Sequence, residues 1–151
     1  MTKLLLSVHV LAAILAIGPI AVAASMFPRF ARTTGDADQE PGARRGPATA
    51  ALLHRVCRGY AVFGLAVPVF GLATGAQLGV LGDAWLITSI TLTAIAAALL
   101  ALTILPAQQR LLATPDGAAA TRLGMLTGIF NLLWAIVVVL MIVRPGSTTG
   151  A

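Results

Sequence analysis

LLLSVHVLAAILAIGPIAVAASMF, residues 4–27, followed at once by Pro28-Arg29-Phe30-Ala31-Arg32, is the stretch that decides how this chain is built. None of its side chains carries a fixed charge. At about 1.5 Å per residue it reaches roughly 36 Å, more than a hydrocarbon core of about 30 Å, so a helix over it crosses a bilayer with some tilt. The run ends abruptly at Pro28, and the arginines beyond it hold that end on one side.

Three more apolar runs of spanning length lie at about 60–81, 85–105 and 123–143. The whole chain of 151 residues is 58% apolar and 10% charged, against roughly 25% charged in soluble domains. The reading is a single all-α membrane domain, a bundle of four transmembrane helices. A basic balance of +5 would suit nucleic acid only with the cations gathered on a solvated face among aromatics, and here they flank apolar helices, so no nucleic-acid partner is expected.

The connectors fit that plan. Residues 33–47, TTGDADQEPGARRGP, are rich in Gly, Pro and charge and read as a flexible cytoplasmic loop. Leu52-Leu53-His54-Arg55-Val56-Cys57-Arg58 leads the second span out of the headgroup layer. The chain turns sharply at Gly82-Asp83, with Asp83 at an N-cap position and Trp85 at interfacial depth. Pro106 ends or bends the third span, Thr114-Pro115-Asp116-Gly117 makes a polar link, and the fourth span stops at Arg144-Pro145-Gly146.

Of the ten basic residues, Arg29, Arg32, Arg44, Arg45, Arg55, Arg58, Arg110 and Arg122 fall in the first and third connectors; Lys3 and Arg144 are the other two. Because loop Lys and Arg set orientation, both connectors belong in the cytoplasm and both termini outside the cell membrane. Met1-Thr2-Lys3 and the small residues around Ala21-Val22-Ala23 also resemble a cleavable leader. Cleavage would leave residues 29–58 outside, against the charge bias, so a retained helix fits better.

Several side chains stand out against this apolar background. Gly71, Gly75 and Gly79 fall four apart and form a ridge that a neighbouring backbone can approach, within the monomer or in a homo-oligomer; Gly124 and Gly128 repeat the spacing. Pro19 and Pro68 free the carbonyls of Leu15 and Gly64, and Thr93, Thr127 and Asn131 lie at matching depths, where they can serve as interhelical glue. His9 lies about 7.5 Å below the outer end of its helix, level with Gln77, Thr88 and Ser89. An ionisable residue inside a span is a functional hypothesis by default, so His9, Gln77, Ser89 and Thr88 form the candidate ligand pocket.

His9 could also ligate haem. His54 lies about 20 Å away across the bilayer on this topology, which disfavours a bis-histidine site, whereas Met141 near the outer end of the fourth span could be the second ligand. Arg29, Arg32, Arg55 and Arg58 suit lipid headgroups. The single Cys57 permits no internal disulfide, no zinc spacing exists, and no phosphate loop, Ser/His/Asp set or paired intramembrane carboxylates occur. Enzymatic hydrolysis or phosphoryl transfer is therefore not expected.

Leu4 to Ala13 (LLLSVHVLAA), Pro28-Arg29-Phe30-Ala31-Arg32 and the ending Thr127-Gly128-Ile129-Phe130-Asn131-Leu132-Leu133-Trp134 through Met141-Ile142-Val143-Arg144-Pro145-Gly146 resemble small four-helix bacterial membrane proteins filed under a domain of unknown function. That resemblance implies four spans and no assigned activity. A more distant likeness links His9 and Gly18 to copper-resistance and haem-pathway membrane proteins whose first helix has a histidine followed by Trp-x-Gly; here Ala16-Ile17-Gly18 stands instead.

The leading functional expectation is a non-enzymatic module with a small outer-leaflet polar pocket that binds or passes a solute or partner, without a required cofactor. The rival is a haem-binding redox protein using His9, and a third reading is a structural subunit of a larger membrane complex. A membrane-impermeant labelling reagent applied to intact cells should leave the stretch around Arg44 and Arg45 unmodified; labelling there would invert the topology.

Overall fold

A computed structural model describes residues 2–32 and 46–146. The proposed loop 33–47, apart from Gly46 and Pro47, and with it Arg44 and Arg45, lies outside the described residues, as does the tail after Gly146. Every regular element among the described residues is helical: α1 (Thr2–Ala31), α2 (Gly46–Gly64), α3 (Ala66–Leu78), α4 (Ala84–Leu99), α5 (Leu105–Ala113) and α6 (Gly117–Val143), with a π-helical turn, Leu100–Ile104, joining α4 to α5. Taken end to end they make four helices long and apolar enough to cross a membrane, Lys3–Ala31, Gly46–Leu78, Ala84–Ala113 and Gly117–Val143.

These helices outrun the apolar stretches that announce them. α1 does not stop at Phe27 but carries Pro19 and Pro28 inside it to Ala31. α2 starts at Gly46, so residues 52–58 continue the helix, as their place before the second span allows. Pro68 cannot bond Gly64, and the hydrogen-bond ladder is interrupted there: Leu65 forms a turn between α2 and α3, its N–H bonding the Val62 carbonyl at 3.2 Å. Pro106 likewise does not end the third rod; the wider π turn before it absorbs the missing hydrogen bond, and the helix runs on to Ala113.

Packing divides the bundle into two halves. In one, α1, α2, the π turn, α5 and α6 converge on a core that includes Ile20, Ala24, Phe27, Cys57, Ile104 and Phe130. Ala24, Ala50, Ala96 and Ala120 are buried there, which brings the helix backbones close. In the other half, α1 pairs with α3 and α4 pairs with α6, and α3 and α4 meet little beyond their joining turn. A small cluster, Val80, Trp85 and Leu86 with Met141, closes the far end. Asp83 occupies the N-cap of α4, but its carboxylate accepts from Trp85 Nε1 at 3.0 Å and does not cap the helix; the side-chain cap is Asp116, which accepts from the Ala118 N–H at 2.8 Å.

The glycines are not one ridge. Gly79 has left α3 and sits at φ +71° as its left-handed C-cap. Gly71 faces His9, and Gly75 faces Leu86 and Leu81, so both serve contacts inside the monomer. Gly128 has open space at its Cβ position, and the nearest atom to that of Gly124 is Pro28 Cγ, 3.9 Å away. Gly71→Ala should therefore cost about 1–3 kcal/mol, because its Cβ would come 2.9 Å from His9 Cε1. Gly128→Ala should be neutral; equal stability of the two variants in detergent melts would refute this account.

Candidate functional site

Between the two helix pairs of the looser half lies a half-open cavity of about 1510 Å³. Its walls come from one face each of α1 (Leu6 to Gly18), α3, α4 (Leu86 to Ala97) and α6 (Trp134 onward to Gly146). The lining is overwhelmingly aliphatic, with His9, Thr93, Trp134 and Arg144 as the groups bearing polar atoms on their side chains. A second hollow of about 40 Å³ continues toward the closing cluster and is lined by His9, Thr74, Trp85, Met141 and Arg144 among others.

His9 is held across the helix gap. Its Nδ1 lies 2.9 Å from the Val67 carbonyl; since a carbonyl only accepts, Nδ1 carries the proton and donates, which leaves a neutral ring's lone pair on Nε2. The absent side chain of Gly71 makes room for the ring. Trp134 presents the opposite case: its Nε1–H is buried without a hydrogen-bond partner, as is Asn131 Oδ1. An unmet buried N–H costs about 1–3 kcal/mol.

Arg144 closes α6 at φ +46°, the single non-glycine residue with positive φ among the described residues. Its Nε donates to the Met141 carbonyl at 3.3 Å, and its guanidinium carbon lies 5.6 Å from the centroid of the Trp85 ring. Asp83, the acid at this end, is engaged with that same indole's N–H.

The other residues singled out in the sequence distribute differently. Gln77 and Thr88 are exposed and do not line either cavity, and the Thr88 hydroxyl returns to the Ala84 carbonyl at 2.7 Å. Ser89 is buried, but its hydroxyl is spent on the Trp85 carbonyl of its own helix at 2.8 Å. The proposed pocket of His9, Gln77, Ser89 and Thr88 therefore does not assemble; His9 instead lines the smaller hollow together with Trp85, Met141 and Arg144. Thr127 bonds the Leu123 carbonyl of its own helix at 3.0 Å and so does not serve Gly64, while Thr93 lines the cavity and does not bond Leu15. Asn131 Nδ2 donates to Ser25 Oγ at 2.9 Å, tying α6 to α1. Arg29, Arg32, Arg55 and Arg58 are all exposed, and Arg32 donates to Thr121 Oγ1 at 3.0 Å.

One polar group was not legible as a site at all. In the tight half, His54 Nδ1 donates to Gln108 Oε1 at 3.0 Å, Gln108 Nε2 donates to Cys57 Sγ at 3.7 Å, and the thiol faces the Ile20 carbonyl at 3.9 Å. Gln108 and Cys57 are fully buried and His54 nearly so. The signal present in the sequence is the spacing of Gly46, Ala50, His54 and Cys57, which are the buried residues of α2 and mark the face turned to α1 and α5. Nothing distinguishes Gln108 from its exposed neighbour Gln109 beforehand.

No family model, curated protein or solved structure matches this chain. Gln108→Ala would strand the His54 N–H in a buried site and should cost about 1–3 kcal/mol, whereas Gln109→Ala should cost nothing measurable. A double-mutant cycle of Gln108→Ala with His54→Ala that showed no coupling would remove the network from the stability account.

Proposed function

We propose that the protein is a multi-pass membrane protein, oriented with the start of α1 and the end of α6 outside and the arginine-rich connectors in the cytoplasm, and that its open half binds a small apolar or amphiphilic molecule entering sideways from the bilayer. Support for insertion is the outward apolar surface: Phe63, Leu102 and Ile142 are each at least 70% exposed, which in water would be prohibitive and in lipid costs nothing. Support for orientation is the exposure of Arg29, Arg32, Arg55, Arg58, Arg110 and Arg122 on the two connector sides.

The observation that carries the binding role is the aliphatic cavity itself, with His9 Nε2 as a polar atom not consumed by the fold. Such a site, apolar with a few polar groups left to orient a guest, is the ordinary form of a small-molecule pocket. Both tryptophans of the chain line the cavities, so occupancy can be read from intrinsic fluorescence. The methyl ester of a brominated stearic acid should quench them saturably in detergent. Ala97→Phe, which fills the groove, should raise the half-saturation concentration roughly ten-fold, and Leu52→Phe on an exposed face should not. Linear quenching, unchanged by Ala97→Phe, would mean simple partition into the micelle.

A second reading is haem held through His9, favoured by the Nδ1–H bond to Val67, which orients the ring and leaves Nε2 as the ligating atom, and by Met141 in the same hollow. A Soret band formed on haem addition and lost in His9→Ala supports it. Protein that stays colourless eliminates it.

A further inference from the structure

Resting on the binding role above, we infer that the groove's occupant is an acidic lipid of the surrounding bilayer, its chain lying along the groove and its anionic head held by Arg144 at the mouth. Length comes first. The lining runs from Leu6 to Gly18 on α1, about 18 Å of helix, and from Trp134 to the end of α6 at Val143, about 14 Å, with Arg144 to Gly146 just beyond it. Both lengths are close to one leaflet's share of a hydrocarbon core about 30 Å thick. The walls are aliphatic along this length, and the lining residues Val10, Ile14 and Val138 are themselves exposed on the outside of the bundle, which suits entry of a chain already in the leaflet.

Charge decides the head. Arg144 lines both cavities at the end of α6 and forms no ion pair among the described residues. Asp83, the acid at this end, has its carboxylate on the Trp85 indole N–H, and the guanidinium lies over that same ring. Nε is spent on the Met141 carbonyl, and the ring contact takes one face of the guanidinium plane. The two Nη groups are left to donate, and they suit a carboxylate or phosphate in a bidentate grip. Lys3, exposed near the start of α1, is the other cation of the sequence outside the arginine-rich connectors, so the local balance favours an anion. The left-handed backbone of Arg144 is a conformation that a residue with a Cβ adopts at a cost, and here it turns a long cationic side chain back over the groove.

The test uses brominated stearate and its methyl ester, identical in chain, on the full-length protein in a neutral detergent, with tryptophan quenching as the readout. The carboxylate should half-saturate at a concentration roughly ten-fold below that of the ester. Arg144→Gln should bring the two curves together without moving that of the ester, and Arg144→Lys should keep part of the preference. Saturable quenching by both compounds at equal concentrations in the unaltered protein overturns the acidic-head assignment while leaving the groove's binding role standing. A preference that survives Arg144→Gln overturns the role of Arg144. If neither compound quenches saturably, the binding role itself fails. A soluble anion, inorganic phosphate, should not compete at millimolar concentration; competition by phosphate would make the site one for free anions, not lipids.

Discussion

Close approach of backbones over alanine is the constraint on which the rest of this molecule depends. Within lipid, burying an apolar side chain against another helix gains little over leaving it among acyl chains, so association rests on dispersion, shape and a few hydrogen bonds. The tight half satisfies that requirement: Ala24, Ala50, Ala96 and Ala120 are almost wholly buried, and Phe27 and Phe130 fill the space between. The open half lacks it. There α4 presents Leu86, Ile90 and Ala94 to a gap, and the helices stay apart.

Polar groups follow the same division. Where the helices are close, His54, Gln108 and Cys57 satisfy one another and Asn131 Nδ2 reaches Ser25, although Asn131 Oδ1 stays unpartnered. Beside the hollow, His9 ties α1 to α3 by a single bond to Val67, and Arg144 keeps Nη donors that no hydrogen bond among the described residues uses. A buried network completed within the protein specifies a packing arrangement.

Much of the architecture could be read before any coordinates, because charge-free runs of spanning length and punctuating arginines are one-dimensional signals. The number of long apolar helices, the turn after Gly82 and the prominence of His9 all follow from them. Pro28 does not end its helix, and at Pro106 the second of the two readings holds, the helix being widened and not ended, since proline is tolerated inside an apolar helix. Depth matching placed Gln77, Ser89 and Thr88 level with His9, but depth along an axis says nothing of rotation about it. Gln77 faces outward and Ser89 bonds its own turn. Arg144, read as a simple topological marker, came to line the cavity through a left-handed backbone that spacing does not encode. The four-residue spacing of Gly79 suggests a ridge, yet it lies just past the helix, where glycine is the usual stop.

The wide turn at Leu100–Ile104 has a consequence for how the two halves are phased. A π turn accommodates one residue more than an α turn, and one residue is about 100° of rotation. Everything after it on that rod is therefore swung round relative to α4, which is how Gln108 and Leu111 come to point inward while Ile90 and Thr93, earlier on the same rod, look onto the hollow. The turn works as an angular offset between a sealed section and a gaping one, allowing a single rod to serve two neighbours that a regular helix could not face together.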